Sequence, residues 1–201
     1  LTEYRQKQGE EEVKRLVKIT FTFIILFAGL VCLAGIIFAP AIVTVVAPGF
    51  LSSPEKFSLT VLLTRIMFPF LMFISLAALI MGALNLKKVF FIPALAPAAL
   101  NVVLIISIVL FESRTSHPVM AAAIGVMVGG FVQFAFQLPA FFRNGYKLGF
   151  DTTFSHPGLK RMSLLLIPAT MALSVNQINI VVNNILASYL PAGSITYLFY
   201  S

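Results

Sequence analysis

The most constraining feature of this sequence is a series of long apolar runs that contain almost no charged residues. A run of ~17–25 residues is long enough to cross the hydrocarbon core of a bilayer as an α-helix. Helices are favoured over β-strands, because the strands of a membrane barrel are only ~10 residues long and alternate in polarity. A helix also satisfies its own backbone hydrogen bonds within hydrocarbon. The sequence therefore predicts an all-α, polytopic membrane helix bundle with five crossings, at 19–39, 57–84, 90–111, 119–142 and 162–190.

The composition excludes several classes of protein. Hydrophobic residues make up 59% of the 201 residues and charged residues only 10%, whereas charged residues make up ~25% of an ordinary soluble domain. A soluble fold needs a polar surface that this composition does not supply. We therefore exclude a soluble globular enzyme, a disordered tail and a nucleic-acid-binding domain.

The positive charges lie mostly on one side of the predicted bundle. Of the 14 Lys and Arg residues, 11 precede the first crossing or lie in the second-to-third and fourth-to-fifth loops, whereas the opposite loops contain only Lys56 and Arg114. By the positive-inside rule, this asymmetry places the lead-in 1–18 and the loop 143–161 in the cytoplasm. Because charge runs are usually solvated, we expect the lead-in to be a solvated helix.

Proline interrupts every predicted crossing. Pro40 and Pro48 end the first one, so that 19–48 comprises the helix and its outer end, and Pro69 lies inside the second. Each proline removes a backbone hydrogen bond and tends to kink its helix. Two interpretations stay open: a bundle built to bend, as in transporters with broken helices, or a set of static kinks.

Arg65 is the one basic residue inside a predicted crossing. A charge about two turns into the membrane costs at least ~2.5 kcal/mol unless it faces water, a partner or an anion. A structural interpretation is an arginine that extends outward or bonds backbone carbonyls freed by Pro69. A functional interpretation is a cationic contact in a cavity, suited to a phosphate or carboxylate group. The predicted crossings contain no acidic residue that could pair with it.

The fifth predicted crossing is unusually rich in carboxamides. Asn176, Asn179 and Asn183 are spaced at i, i+3 and i+7, which places them on one helical face. Amides that face lipid would be left without hydrogen bonds, so this face is expected to point inward. It either joins helices by hydrogen bonds or lines a hydrated path. With Arg65, these three asparagines are the candidate substrate-binding residues.

The fourth predicted crossing carries a stripe of small and polar residues at fourfold spacing. Gly125 and Gly129 are followed by Gln133 and Gln137. Glycines at this spacing let two helices approach closely. The stripe therefore predicts a tight helix contact.

The sequence shows no catalytic or metal-binding constellation. His117 and His156 lie in loops on opposite sides of the membrane, so they cannot share a metal, and Cys32 has no second cysteine to pair with. Protease, nucleotide-binding and hydrolase motifs are absent. The sequence therefore predicts neither an enzyme nor a bound cofactor or metal, which leaves transport or a structural role.

Several separate motifs resemble the MurJ (MviN) family of lipid II flippases, in the MOP exporter superfamily. They are RIMFPF at 65–70, GALNL at 82–86 and FIPALAP at 91–97, with LTEYR at 1–5 before them and LASYLPAGS at 186–194 after them. The motifs occur in the family's order and agree with the topology derived from charge. The resemblance implies a MATE-like fold of fourteen helices in two lobes, of which this chain would be an internal piece matching helices three to seven. Residues 191–201 would then be an outer loop and the start of the eighth helix.

The resemblance also implies a function. The family moves the undecaprenyl-pyrophosphate-linked peptidoglycan precursor, lipid II, across the bacterial inner membrane by alternating access, through a cationic cavity. The expected partners are lipid II and membrane lipids, and cation coupling is left open. The family's best-known essential arginines would lie outside this chain. Some members carry a sodium-binding carboxylate where this sequence has the neutral Asn183.

Other functions stay open at this stage. A MOP-superfamily exporter of drugs, cations or polysaccharide-lipid precursors is the main alternative, although a drug antiporter is expected to carry acids within its helices. A membrane enzyme acting on lipid intermediates would need an acid, base or nucleophile near the interface, and the loop acids Glu112 and Asp151 are poor candidates. A purely structural membrane subunit is the remaining interpretation.

Overall fold

The computed structural model describes residues 9–111 and 118–189, and every regular element in those residues is helical. This confirms the prediction of an all-α helix bundle. A short 3-10 helix, Pro48–Ser52, lies between the second and third α-helices. The α-helices are α1 (Glu10–Ile37), α2 (Ala39–Val46), α3 (Pro54–Met67), α4 (Phe70–Leu86), α5 (Phe91–Phe111), α6 (Pro118–Arg143) and α7 (Pro157–Ser188).

Four helical stretches in the described residues are long and apolar enough to cross a membrane. They are Glu10–Ile37, Pro54–Leu86, Phe91–Phe111 and Pro118–Arg143. The fifth predicted crossing falls in α7, which is 32 residues long. Among the side chains of α7 that the structure describes, Gln177–Ala187 forms an apolar stretch that is too short to cross a bilayer alone. The fifth crossing therefore stays a prediction, and 191–201 lies outside the described residues.

The predicted second crossing is divided in two at Pro69. Proline has no N–H to donate to the carbonyl of Arg65, so α3 ends at Met67 and α4 begins at Phe70. The thiol of Cys32 donates to the carbonyl of Phe68 in this break, at 3.1 Å. Pro97, Pro139 and Pro168, by contrast, lie inside continuous helices. A proline alone therefore does not determine where a helix ends.

The charged lead-in differs from the solvated helix that we expected. It is the first part of α1, and Val13, Leu16 and Val17 on one side of it are buried. The i, i+3, i+4 spacing of these residues turns an apolar stripe toward the interior, while the charged residues occupy the other side. The segment is thus half packed and half exposed.

The described residues divide into two compact units. The first comprises 9–33, 66–111 and 118–160, and the second comprises 34–65 and 161–189. In the first unit, α1, α4 and α6 share a core that includes Val17, Ile80, Leu84 and Phe141. In the second unit, Ala39, Val43 and Val61 form a small buried cluster with Phe57 packed against it.

The predicted tight contact at the glycine stripe is present between α5 and α6. A methyl group at Gly125 would lie 2.8 Å from Ser107 Cβ, and one at Gly129 would lie 3.1 Å from the carbonyl oxygen of Leu100. The hydroxyl of Ser107 also donates to the carbonyl of Ala121 across the contact, at 2.8 Å. A methyl group at Gly125 therefore requires the helices to shift, and one at Gly129 requires Leu100 to move by a few tenths of an ångström.

Candidate functional site

Arg65 is held by a backbone carbonyl that proline leaves free. Its Nε donates to the carbonyl oxygen of Ile36, at 3.1 Å. The residue four positions after Ile36 is Pro40, which has no N–H, so the usual intrahelical donor is missing. The structural interpretation from the sequence named Pro69 as the proline that frees the carbonyl, and this was wrong: the carbonyl is freed by Pro40.

The rest of the Arg65 guanidinium is available. The guanidinium carries five N–H donors, and the bond to Ile36 uses one of them. Among residues 9–111 and 118–189, no carboxylate pairs with Arg65 and no hydrogen bond from its Nη groups is formed, and the residue is exposed. The geometry is therefore compatible with both the structural and the functional interpretation. One N–H holds the side chain against the backbone, and the remaining N–H groups of the planar guanidinium can receive an anionic oxygen.

The predicted asparagines all lie on α7. Asn179 is exposed and Asn183 is half-buried, and the side chain of Asn176 lies outside what the structure describes. No hydrogen bond between Arg65 and Asn179 or Asn183 is found in the described part of the chain, so the structure does not bring the predicted set into one hydrogen-bonded site. A shallow hollow of about 280 Å³ on the same helix is lined by Ser174, Gln177, Ile178, Val181 and Val182. Neither Asn179 nor Asn183 lines this hollow.

A second candidate site was missed by the sequence analysis. It is a cleft of about 570 Å³ at the predicted cytoplasmic end of the first unit, here called the basic cleft. Its walls are α1 and the loop that follows α6. It is lined by Glu11, Glu12, Lys14, Arg15, Lys18, Gly145, Lys147 and Asp151. The i, i+4 spacing of Lys14 and Lys18 was a signal, but the loop's position beside them is a tertiary feature.

Each carboxylate of the basic cleft already has a partner. Glu11 accepts a hydrogen bond from Lys14 Nζ at 2.7 Å, and Asp151 Oδ2 lies 3.6 Å from Arg15 Nε. Lys18 and Lys147 form no ion pair within the described ranges. The four basic side chains that line the cleft outnumber its three carboxylates, so the cleft has a net positive charge.

Ionisation at this end of the molecule follows these contacts. The hydrogen bond from Lys87 is the main cause that lowers the pKa of Glu10 below its ordinary value. Hydrogen bonds from Thr153 lower the pKa of Asp151, with a smaller contribution from Arg15. The hydrogen bond to Glu11 raises the pKa of Lys14. All of these groups stay charged at neutral pH.

His156 joins the start of α7 to α1. Its Nδ1 accepts the backbone N–H of Gly158 at 3.1 Å, so the ring hydrogen lies on Nε2, which faces Glu12 Oε1 at 2.9 Å. The sequence analysis considered His156 only as a metal ligand. No group of three or more metal-ligating side chains occurs in the described residues.

Comparison with known proteins decides which family the chain belongs to. The sequence profile of the family described as "Lipid II flippase MurJ" matches residues 1–201. The chain belongs to this family. Its relatives include the lipid II flippase MurJ of Burkholderia cenocepacia, which is 37% identical over 205 residues. The probable lipid II flippases MurJ of Buchnera aphidicola (from Acyrthosiphon pisum) and Vibrio cholerae are 34% and 32% identical.

The match covers the chain completely but the relatives only in part. All of this chain aligns with each of the three, yet it spans only 40%, 39% and 40% of their lengths. The resemblance found from the motifs is thereby confirmed, including the expectation that the chain corresponds to a part of the family's fold. The relatives are named as flippases, which are transporters rather than catalysts. The family and the four long apolar helices also confirm the predicted location in the bacterial inner membrane.

Proposed function

We propose that this chain forms part of a flippase that moves lipid II from the inner to the outer leaflet of the cytoplasmic membrane by alternating access. The observation that carries the proposal is the match of the MurJ family along the whole chain, residues 1–201. The helical fold agrees with it, since four helices are long and apolar enough to cross the bilayer.

Arg65 supports the proposal chemically. The precursor carries a pyrophosphate, whose oxygens suit a planar guanidinium that presents parallel N–H donors. One N–H of Arg65 is bound to the carbonyl of Ile36, which orients the remaining donors before any ligand arrives. We propose that Arg65 contacts the pyrophosphate or an acidic group of the substrate, and that Asn176, Asn179 and Asn183 adjoin its path.

The interrupted backbone supports alternating access. The helical path is broken at Phe38, between α1 and α2, and at Pro69, between α3 and α4. Breaks of this kind are places where a few backbone angles absorb the motion of larger segments. Asn183 is neutral, and an amide is a weaker sodium ligand than a carboxylate, so we assign no coupling ion to it.

The proposal is tested by complementation. Full-length protein that contains this segment is expressed in bacteria depleted of their own lipid II flippase, and its membrane level is matched to that of the native protein. We expect growth and cell shape to be restored. Failure at matched levels, together with export of a drug or a polysaccharide-lipid precursor, would favour the other exporters of the superfamily.

A further inference from the structure

The loop between α6 and α7, residues 144–156, lies along α1 instead of extending into water. Helix α6 ends in a Schellman turn: the N–H of Tyr146 bonds the carbonyl of Phe141, and that of Gly145 bonds the carbonyl of Phe142. Gly145 has a φ of 80°, a conformation that glycine adopts without strain. The turn directs the following residues toward α1.

The loop then descends along α1 toward the membrane and returns. A methyl group at Gly145 would lie 3.8 Å from Lys14 Cε, and one at Gly149 would lie 3.7 Å from Lys18 Cδ. Further along, the N–H of Asp151 donates to the hydroxyl of Thr22 at 2.9 Å. The loop thus follows α1 from Lys14 to Thr22. These eight residues of the helix correspond to about 12 Å at 1.5 Å per residue.

The far end of the loop reaches the depth of the bilayer interface. Thr22 and Phe23 lie inside the first predicted crossing, 19–39, and the ring of Phe154 meets the ring of Phe23 edge to face, with centroids 6.1 Å apart. The chain then returns to the cytoplasmic end, where His156 contacts Glu12. The predicted bounds of the first crossing therefore place residues near 150–154 at the level where lipid headgroups meet acyl chains.

The loop presents apolar side chains at that depth. Phe150 is 76% exposed, Phe154 41% and Leu148 37%. Apolar side chains left in water would be unfavourable, whereas aromatic and aliphatic residues beside lysines are typical of segments that lie in the membrane interface. The exposed side of the loop fits lipid.

Lys147 and Asp151, which flank Leu148 and Phe150 in the sequence, line the basic cleft. Lys18 and Lys147 line it without an ion pair among the described residues, whereas Glu11 and Asp151 are paired with Lys14 and Arg15, and Glu12 accepts a hydrogen bond from His156 Nε2. Lysines at an interface extend their ammonium groups toward headgroup phosphates. The cleft thus has unpaired positive charge at the level where phosphodiesters lie.

We infer that loop 144–156 is a membrane-interface anchor that binds an anionic phospholipid of the cytoplasmic leaflet. Phe150 and Leu148 insert among the acyl chains, and Lys18 and Lys147 bind the headgroup phosphate. The chemistry recognised is a lipid phosphodiester with net negative charge, such as phosphatidylglycerol. This binding does not depend on the flippase reaction, so it is measured separately from transport.

Lipid binding is tested with full-length protein in nanodiscs of phosphatidylcholine alone or mixed with phosphatidylglycerol. Phosphatidylglycerol retained by the protein is counted by native mass spectrometry. We expect Lys18→Gln and Lys147→Gln each to lower the preference for phosphatidylglycerol about fivefold. Lys160→Gln is the matched control, because it removes an exposed cytoplasmic charge that does not line the cleft, and it should leave the preference unchanged.

Insertion of the loop is tested with a fluorescent label at position 150. Phe150→Cys is labelled in full-length protein without other cysteines, and quenching by brominated lipids is measured. We expect stronger quenching by brominated phosphatidylglycerol than by brominated phosphatidylcholine.

Three outcomes would overturn the inference. The first is an unchanged lipid preference in both lysine variants. The second is a label that neither lipid quenches, which would show that another part of the full-length protein covers the loop. The third is displacement of phosphatidylglycerol by undecaprenyl pyrophosphate at much lower concentration, which would assign the cleft to the substrate.

Discussion

Arg65 and Ile36 are joined by a hydrogen bond of 3.1 Å between a guanidinium Nε and a carbonyl oxygen. The bond exists because Pro40 withholds the N–H that would otherwise occupy that carbonyl. A charged side chain inside an apolar crossing is thereby oriented by backbone, with most of its donors still available. This bond gives Arg65 a structural role, and it leaves the remaining N–H groups free for the substrate contact that we propose.

Substitution of Arg65 tests that dual role. A lysine keeps the positive charge but cannot bond the carbonyl and present a planar fork together. We expect Arg65→Ala to lower lipid II transport by about tenfold or more, as loss of one charge-assisted hydrogen bond does, and Arg65→Lys to lower it less. Lys56→Ala, which removes an exposed charge elsewhere on α3, is the control. Full activity in both Arg65 variants would leave Arg65 with a structural role only.

Glycine substitutions test the contact between α5 and α6. An alanine methyl at Gly125 would lie 2.8 Å from Ser107 Cβ and 3.2 Å from Leu104 Cα, so the helices must separate. We expect Gly125→Ala to destabilise the protein by about 1–3 kcal/mol in thermal or denaturant unfolding in detergent. A methyl group at Gly29 would meet no atom within 4 Å, and alanine has a higher helix propensity than glycine. Gly29→Ala should therefore be neutral or stabilising. Equal effects of the two would contradict the packing.

The ion pair between Lys87 and Glu10 predicts a dependence of stability on pH. The hydrogen bond from Lys87 lowers the folded pKa of Glu10 below the ordinary value of 4.5. A depressed pKa contributes stability that is present above the unfolded value and is lost as the pH falls through the folded value. We therefore expect the free energy of unfolding to fall less steeply below pH 4.5 in Glu10→Gln than in the unsubstituted protein.

The comparison is made by thermal unfolding at neutral pH and at successively lower pH. Because the pair is exposed, the effect at neutral pH should be small. Lys87→Met should also weaken the acid dependence, but by less than Glu10→Gln, because Lys14 stays 3.6 Å from Glu10. An unchanged acid dependence in both variants would show that the pair does not form.

The hydrogen bond between Asp151 and Thr22 holds the loop after α6 against α1, and its contribution can be tested. The buried hydroxyl of Thr22 accepts the N–H of Asp151, so Thr22→Val leaves that N–H without its partner. A lost bond of this kind costs about 1–3 kcal/mol, and we expect faster hydrogen exchange in residues 144–156. Thr44→Val is the control, because the hydroxyl of Thr44 bonds only the carbonyl of Pro40 in its own helix. No change in loop exchange would contradict the contact.

The orientation of the chain is tested by cysteine accessibility in intact cells. Single cysteines at Lys87 and Lys147 should be protected from a membrane-impermeant reagent, and one at Lys56 should react. The asymmetry of Lys and Arg predicts this result. Reversed labelling would overturn the assignment of the basic cleft to the cytoplasmic side.

The helices of this fold could be predicted from the sequence because hydrocarbon imposes a simple rule. An uncharged run of sufficient length must satisfy its own backbone bonds, and 90–111 and 119–142 are close to α5 and α6 in the structure. The environment of the first turns of α1 was harder to predict from the sequence. Their charges suggested a solvated segment, whereas the stripe of Val13, Leu16 and Val17 becomes buried once α4 and α6 are in place.

The candidate sites could be predicted only in part. The depth of Arg65 drew attention to it, but its acceptor lies 29 residues earlier in the chain, and no local pattern indicates such a pairing. Pro69 divides a helix while Pro97 and Pro139 do not, so a proline in the sequence does not by itself show where a helix ends. The basic cleft depends on a loop that crosses to α1, which requires the tertiary structure.

Transport of lipid II by the protein that contains this chain is tested most directly with full-length protein reconstituted in vesicles that carry fluorescent lipid II in one leaflet. We expect protein-dependent appearance of the probe in the opposite leaflet, reduced in Arg65→Ala. Correctly folded, correctly inserted protein that moves no more probe than empty vesicles would contradict this expectation.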